Sequence, residues 1–409
     1  MENFNNINLP SEVLLSLTSM NITLPTEIQK QTIPVAMEGL DILASSQTGS
    51  GKTLAYLIPM ILSSMNTTGL SLVLVPTREL ANQVRDCWAK ISPKLKFASA
   101  VLIGGEPMPK QLAQLRSSPR LIVGTPGRII DHLLRGSLKL SSVNILVLDE
   151  MDRMLDMGMK EQLEEISKYL PEKKQVLMFS ATMPKNIIAL SQKYLVNPKR
   201  ITVGSTTQAA VQIKQESMRI SDHEKFAELT KQLKERDGSI IIFVKTKRGA
   251  DVLARMLKSD DHKAEAIHGD LNQSRRDRVI ASFRRSHHRI MVATDVAARG
   301  LDIPHTQHVI NYDLPMSPED YLHRIGRTGR AGLEGNALSF ISPDDQARWR
   351  AIDRLINQGE STSREELLGE RRGSRKPKVF ERGPKRNYSG PRTGGNKKFG
   401  DNNRRQRAS

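Results

Sequence analysis

Ser46-Gln47-Thr48-Gly49-Ser50-Gly51-Lys52-Thr53 is the stretch on which the reading of this chain turns. It follows a short apolar run ending at Ala44. It precedes a pattern in which Leu54, Leu57, Ile58, Ile61 and Leu62 recur at i, i+3, i+4, i+7 and i+8. The order is strand, glycine loop, helix. Gly49 and Gly51 let the backbone curl with no Cβ in the way, so that successive N–H groups and the helix N-terminus point into one concavity suited to a polyphosphate. Lys52 then reaches the outer phosphates as a point charge, and the Thr53 hydroxyl is placed to ligate Mg²⁺. Ser46 stands where the phosphate-loop pattern has its first glycine. The plainer alternative is a glycine turn between strand and helix.

A second signal weighs against that alternative. The apolar run Ile145 to Leu148 ends directly in Asp149-Glu150-Met151-Asp152. In open α/β sheets ligands sit beyond the carboxyl ends of the strands, so these acids are expected to face the same cavity as the glycine loop. Asp149 is placed to hold Mg²⁺ through water, and Glu150 to orient and deprotonate the water that attacks the γ-phosphate. As a mere helix cap before Arg153, the tetrapeptide would leave the pairing with Lys52 and Thr53 unexplained.

Both signals sit in a chain of 409 residues, long enough for two domains with full cores and a tail. Hydrophobic content of 38% and charged content of 26% suit a soluble globular protein. The net charge of +18 predicts a polyanionic partner. No apolar run approaches 18 residues and the start, MENFNN, has no basic and apolar leader, so membrane and secretory readings are not expected. Cys87 is the single cysteine, which excludes an intrachain disulfide or a cysteine-cluster metal site and fits a reducing cytoplasm.

Residues 1–32 form a preface to the loop. Ser11 to Met20 reads as a helix, and Pro25-Thr26-Glu27-Ile28-Gln29 starts another with proline at a first turn. Gln29 carries the donor and acceptor pair that can read the edge of adenine, and Phe4 a ring that can stack on its face. Taken singly, a surface glutamine and a satellite core phenylalanine are the default readings.

From Leu70 strand and helix signals alternate. Strands are expected at Leu72 to Val75, Ser99 to Ile103, Leu121 to Val123, Ile145 to Leu148 and Val176 to Phe179, which makes βαβ units and a mostly parallel sheet. The turns after them carry Arg78, Gly104-Gly105, Thr125, Arg128 and Ser180-Ala181-Thr182. Hydroxyls, glycine backbone and arginines along one rim suit a phosphodiester backbone, since they bind phosphate and sugar without reading bases. Small and polar residues around Thr202 to Gln215 read as a linker. A second alternation then runs through Ile240 to Val244, Ala264 to Ile267, Arg289 to Ala293, His308 to Asn311 and Ala337 to Ile341, without a glycine phosphate loop.

The second half offers arginine instead. His323-Arg324-Ile325-Gly326-Arg327-Thr328-Gly329-Arg330 packs three arginines into eight residues. Guanidinium forks bind phosphate and stabilise charge on a transferring phosphoryl group. Arg327 and Arg330 are therefore expected to act as arginine fingers when an interdomain cleft closes. From about Ser361 the chain becomes rich in Gly, Asn, Ser and Pro, and its 15 Lys+Arg against 5 Asp+Glu supply +10 of the +18. That segment, 361–409, is expected to be disordered and to tether nucleic acid nonspecifically, with Tyr388 and Phe399 able to stack on bases.

With these residues assembled, the sequence resembles the DEAD-box ATP-dependent RNA helicases of superfamily 2, of the short bacterial type, from Phe4 to about residue 355. The resemblance implies two tandem RecA-like domains with parallel sheets, ATP and Mg²⁺, and RNA bound by its backbone across both. It divides the chain into an adenine-recognition segment (1–32), an ATP-binding RecA-like domain (33–204), a linker (205–216), a C-terminal RecA-like domain (217–360) and the basic tail (361–409). Phe4 and Gln29 match its adenine-recognition motif, with Phe4 17 residues before Asn21. Ser46, Gln47, Thr48, Gly49, Ser50, Gly51, Lys52 and Thr53 match its nucleotide loop, and Asp149-Glu150-Met151-Asp152 its name-giving tetrapeptide, with Thr53 and Asp149 at the metal. Ser180 and Thr182 match the motif coupling hydrolysis to unwinding, through hydrogen bonds to Asp152. Arg78, Gly105, Thr125 and Arg128 fall on its RNA contacts. In the second half Thr294 falls on RNA, Asp295 on the ATP ribose and Arg327 and Arg330 on its arginine fingers, while Gln273 and Arg276 match a further motif.

Four positions depart from the family pattern: Asn21, Glu27, Ser46 and Met151. Met151 replaces alanine and bears on coupling. The function expected is RNA-stimulated ATP hydrolysis that unwinds short duplexes locally or remodels RNA–protein complexes, with association to ribosomal or ribonucleoprotein particles. The alternatives are an ATP-gated RNA clamp or annealing protein with weak unwinding, and a DNA helicase or translocase.

Overall fold

The structure is a computed structural model that describes residues 3–4, 7, 9–46, 49–93, 95–204, 213–298, 306–329 and 334–356. Expectations for Gln47, Thr48, Arg330, linker residues 205–212 and the tail lie outside the described residues.

Apolar runs that alternate with helical stretches fold as two parallel sheets within one compact unit, Met1–Ser361. The first half contributes β1 (Ile42–Ser46), β2 (Leu70–Leu74), β3 (Ser99–Leu102), β4 (Leu121–Gly124), β5 (Val143–Leu148), β6 (Gln175–Ser180) and β7 (Lys199–Val203), in the order β3-β4-β2-β5-β6-β1-β7. The second contributes β8 (Ile213–Arg219), β9 (Ile240–Phe243), β10 (Ala264–Ile267), β11 (Ile290–Ala293), β12 (His308–Asn311) and β13 (Gly335–Ile341), in the order β10-β11-β9-β12-β13-β8.

Each sheet is buried on both faces because its strands are apolar at successive positions. In the first, Val73, Val123, Val147 and Leu177 enter one core while Leu72, Ile122, Leu146 and Met178 enter the other. In the second, Ile240 and Ile242 face one side, Ile241 and Phe243 the opposite one. Asp41 ties the first sheet together: its carboxylate accepts from the Val176 and Val196 N–H groups, both at 2.7 Å.

Two edge strands were not legible. β7 was not among the expected strands, and β8 begins inside the stretch read as linker. Both lie at sheet edges, where one side of the strand meets solvent, and β8 alternates buried or half-buried with polar exposed residues rather than showing an apolar run. Among the described residues no helix is long and apolar enough to cross a membrane.

Helix starts bring chemistry to the rims. Thr77 accepts from the Leu80 N–H at 3.2 Å and so opens the helix Arg78–Ile91. Asn272 caps Gln273–Arg284 and Ser317 caps Pro318–Ile325 in the same way, through the Arg275 and Asp320 N–H groups. The first-turn residues Arg78, Glu79, Gln273 and Arg276 are thereby set where the two halves meet.

Candidate nucleotide and nucleic-acid site

The glycine loop leaves β1 and enters the helix Lys52–Asn66 at Gly51, whose φ of 92° is a left-handed value. A Cβ there would stand 2.5 Å from Gln29 Nε2. The reason is that Gln29 spans two elements: its Oε1 accepts from the Thr26 N–H and its Nε2 donates to the Gly51 carbonyl, both at 3.0 Å. The preface helix Glu27–Met37 is thus bonded to the end of the phosphate loop. Phe4 does something else. At 3% exposure it is packed in the apolar core of the first half, so protein covers the ring expected to stack on adenine.

Lys52 is buried and donates from Nζ to the Ser46 carbonyl at 2.9 Å, folding its ammonium back over the loop. Ser46 Oγ lies 3.0 Å from Ser50 Oγ. Asp149, at the end of β5, accepts from the Tyr56 hydroxyl at 3.1 Å and the Glu150 N–H at 2.9 Å. Burial pushes its carboxyl up to about 6, with Lys52 opposing and Glu150 adding to the rise. A carboxylate so destabilised by burial fits a cation, and Asp149 with the Thr53 hydroxyl is the donor set suited to Mg²⁺. Glu150 has φ 53° and caps the helix Met151–Asp156 from outside it. Met151 is fully buried in the core formed with Leu43, Leu148 and Met178, so the residue that departs from the family pattern fills apolar space.

Asp152 is the most heavily bonded of the acids. Its Oδ2 accepts from the Ala181 N–H at 3.0 Å, the Thr182 N–H at 2.9 Å and Thr182 Oγ1 at 3.1 Å, while its own N–H donates to Ser180 Oγ at 3.3 Å. Burial raises its carboxyl, but His323, Lys52 and Arg153 and the Thr182 N–H together hold it below the ordinary carboxylate value.

The rims of the two halves enclose a cleft of about 450 Å³, lined by Arg78, Glu79, Gly104, Thr125 and Arg128 from the first and Gly269, Leu271, Arg276 and Val296 from the second. Gly105 has φ 81° and lies under the Arg78 guanidinium, which a Cβ would strike. Arg78 is lowered from its ordinary value, first by burial and then by Arg276 and Arg128, against the pull of Glu79. Arg128 donates to the Glu106 carbonyl at 3.3 Å.

Among the described residues several contacts cross between the halves, including one from Gln273 Nε2 to Glu79 Oε1 at 3.5 Å. Arg276 Nε meets Glu79 Oε1 at 2.6 Å with both side chains buried, Arg78 Nη1 donates to Gln273 Oε1 at 3.4 Å, and His323 Nε2 lies 3.9 Å from Asp152 Oδ2. In the second half Arg324 grips Asp295 with both arms of its fork, at 2.6 and 2.7 Å. Asp295 therefore keeps only its remaining lone pairs for any further donor. Arg327 is 4% exposed and donates from Nε to the His323 carbonyl at 3.2 Å. Thr294 is buried, and its N–H is bonded to the Ile267 carbonyl.

Family models match both halves: the DEAD/DEAH box helicase model over residues 26–190 and the helicase C-terminal domain model over 224–332. The ATP-dependent RNA helicase CshA of Listeria monocytogenes is 40% identical over 356 residues, 86% of this chain and 68% of that one. The chain belongs to the DEAD-box RNA helicase family. Another such relative, the DEAD-box ATP-dependent RNA helicase CshA of Geobacillus kaustophilus, is also 40% identical, covering 88% of this chain and 77% of its own. Among solved structures, S. cerevisiae Dbp5 bound to RNA and ADP BeF3 superposes with a TM-score of 0.79 at 32% identity, over 88% of this chain and 93% of that one. A DEAD box protein from Methanococcus jannaschii gives 0.52 at 39% identity, over 87% and 98%.

Motif reading of this DEAD-box chain left out three residues that touch the site. Tyr56 reads as part of an apolar helix face, and only folding shows its hydroxyl on Asp149. Arg153 reads as a cap neighbour, yet it is fully buried against Glu150. Glu79 sits in a turn otherwise notable for Arg78, and its partner Arg276 lies 197 residues away.

Proposed function

We propose that this DEAD-box protein hydrolyses ATP in response to RNA and separates short RNA duplexes locally. The observation that carries the reading is the bridge at Asp152. This carboxylate holds the Ser180–Thr182 turn of the first half and lies against His323 of the second, so a change at the nucleotide reaches the relation between the halves through one residue.

Lys52, Gly49 and Gly51 bind the phosphates, and Gln29 holds the adenine side of the loop. Bound at Asp149 and Thr53, Mg²⁺ supplies charge neutralisation on the phosphates. Glu150 orients a water and takes its proton as the water oxygen bonds to the γ-phosphorus and the bond to the ADP oxygen breaks. Arg327 and Arg330 stabilise the charge that spreads over the transferring group. RNA lies by its backbone in the cleft between the rims, held by Arg78, Gly105, Thr125, Arg128 and Thr294. Closure on ATP and one strand bends that strand from its partner, and hydrolysis reopens the cleft. The likeness to an RNA- and nucleotide-bound relative supports this use of the cleft. We place this activity in the cytoplasm, on ribosomal or ribonucleoprotein particles.

The test is steady-state ATP hydrolysis without nucleic acid, with single-stranded RNA and with DNA of the same sequence, followed by duplex separation. RNA-specific stimulation that Glu150→Gln abolishes is the expected result. Equal stimulation by DNA would make the protein a DNA translocase, and tight RNA binding without hydrolysis would make it a clamp.

A further inference from the structure

Arg153 is 0% exposed, and among the described residues none of its three guanidinium nitrogens has a hydrogen-bond partner. Its Nη1 lies 3.2 Å from Glu150 Oε2, an oxygen that is itself buried without a hydrogen bond. The neighbouring acid is already engaged. Asp152 accepts from Ala181, Thr182 and the backbone N–H of Arg153, which leaves Glu150 as the ion-pair partner of the Arg153 side chain.

A buried guanidinium with so little compensation is a poor device for stability, since an apolar side chain of similar length would avoid the desolvation penalty. Its charge serves the group it faces. Glu150 has three rotatable side-chain bonds and caps a helix of only six residues, so its backbone alone does not fix the carboxylate.

We propose that Arg153 is a positioning residue for Glu150, setting the carboxylate orientation in which it receives the proton of the attacking water. The proposal rests on Glu150 being the water-orienting group. Arg153 is fully buried, so its effect is expected on turnover and not on binding.

The experiment compares the full chain with Arg153→Met, Arg153→Gln and Arg153→Lys, reading RNA-stimulated kcat, KM for ATP, RNA affinity and the thermal unfolding midpoint. Misplacement of a catalytic group costs on the order of 100-fold, so Arg153→Met is expected to lower kcat by at least about tenfold. KM and RNA affinity are expected to stay within about twofold; the midpoint is expected to fall in Arg153→Met and Arg153→Gln, which leave Glu150 buried without its partner, and to hold in Arg153→Lys. Arg153→Lys should recover part of kcat, above both uncharged variants. If Arg153→Met does not fold, the Lys and Gln pair decides, because both keep a long polar side chain and differ in charge. Wild-type kcat in the uncharged variants, or a kcat loss that follows a fallen midpoint in all three, overturns the proposal. Glu150→Gln separates the two readings: if it hydrolyses ATP normally the role of Glu150 fails, whereas if it is inactive and the Arg153 variants are normal only the role of Arg153 fails.

Discussion

Glu79, in the first turn after β2, and Arg276, in the first turn of the helix Gln273–Arg284, form an ion pair of 2.6 Å across the cleft, with 7% and 9% of their side chains exposed. Arg276 also donates to the His268 and Ala297 carbonyls, which fixes its fork within the second half. Breaking one partner of a buried pair costs about 3–5 kcal/mol, and here that cost falls on closure of the halves. Arg276→Ala is expected to cut RNA-stimulated ATP hydrolysis by more than about tenfold while leaving nucleotide affinity in the absence of RNA unchanged. Labels on the two halves, read by energy transfer, should show fewer closed molecules with ATP and RNA; an unchanged closed fraction refutes the argument.

Thr182 gives Asp152 two of its three hydrogen bonds on Oδ2. Thr182→Val removes the hydroxyl and keeps the N–H. It is expected to lose most strand separation while retaining RNA-stimulated hydrolysis within a factor of a few. Equal loss of both activities would show that the turn serves the chemistry and not its coupling.

Gly51→Ala places a methyl 2.5 Å from Gln29 Nε2 at a φ of 92°. Left-handed strain in a non-glycine residue costs about 1–3 kcal/mol, and the Gln29 bond to the loop must give way. The KM for ATP is expected to rise roughly tenfold or more. A normal KM would mean that the loop reshapes around the methyl.

Asp149 titrates at about 6 in the folded chain against an ordinary 3.8. Between those values the folded state binds more protons than the unfolded state, so stability falls as pH rises through the window. The lost contribution is roughly 3 kcal/mol at most, complete above about pH 6 and about half developed near pH 5. Asp149→Asn is expected to unfold at a higher temperature than wild type near pH 7.5, with a smaller gain near pH 5. A gain independent of pH would place the effect elsewhere.

Removing residues 361–409 takes away +10 of the +18 net charge. The remaining chain is expected to keep its RNA-stimulated kcat within about twofold, while RNA affinity drops and depends less steeply on salt. A core that loses hydrolysis without the tail would favour a clamp or annealing protein.

The sequence by itself determined the class of fold and the segments that lie on its rims. Parallel strands buried on both faces are apolar throughout, and turns that hold phosphates need glycine, lysine and hydroxyls at fixed spacing, so Ser46 to Thr53 and Asp149 to Asp152 are legible as text. The edge strands Lys199–Val203 and Ile213–Arg219 were not, because a half-solvated strand needs few apolar residues. Tertiary structure alone decided the pairings between distant residues: Glu79 with Arg276, Asp152 with His323, Tyr56 with Asp149. It also put Phe4 and Met151 into apolar cores. Local patterns record only what a residue needs from its own strand or helix. Whether a side chain is buried, and which charge it meets, follows from how separate elements pack, and packing is a property of the folded whole.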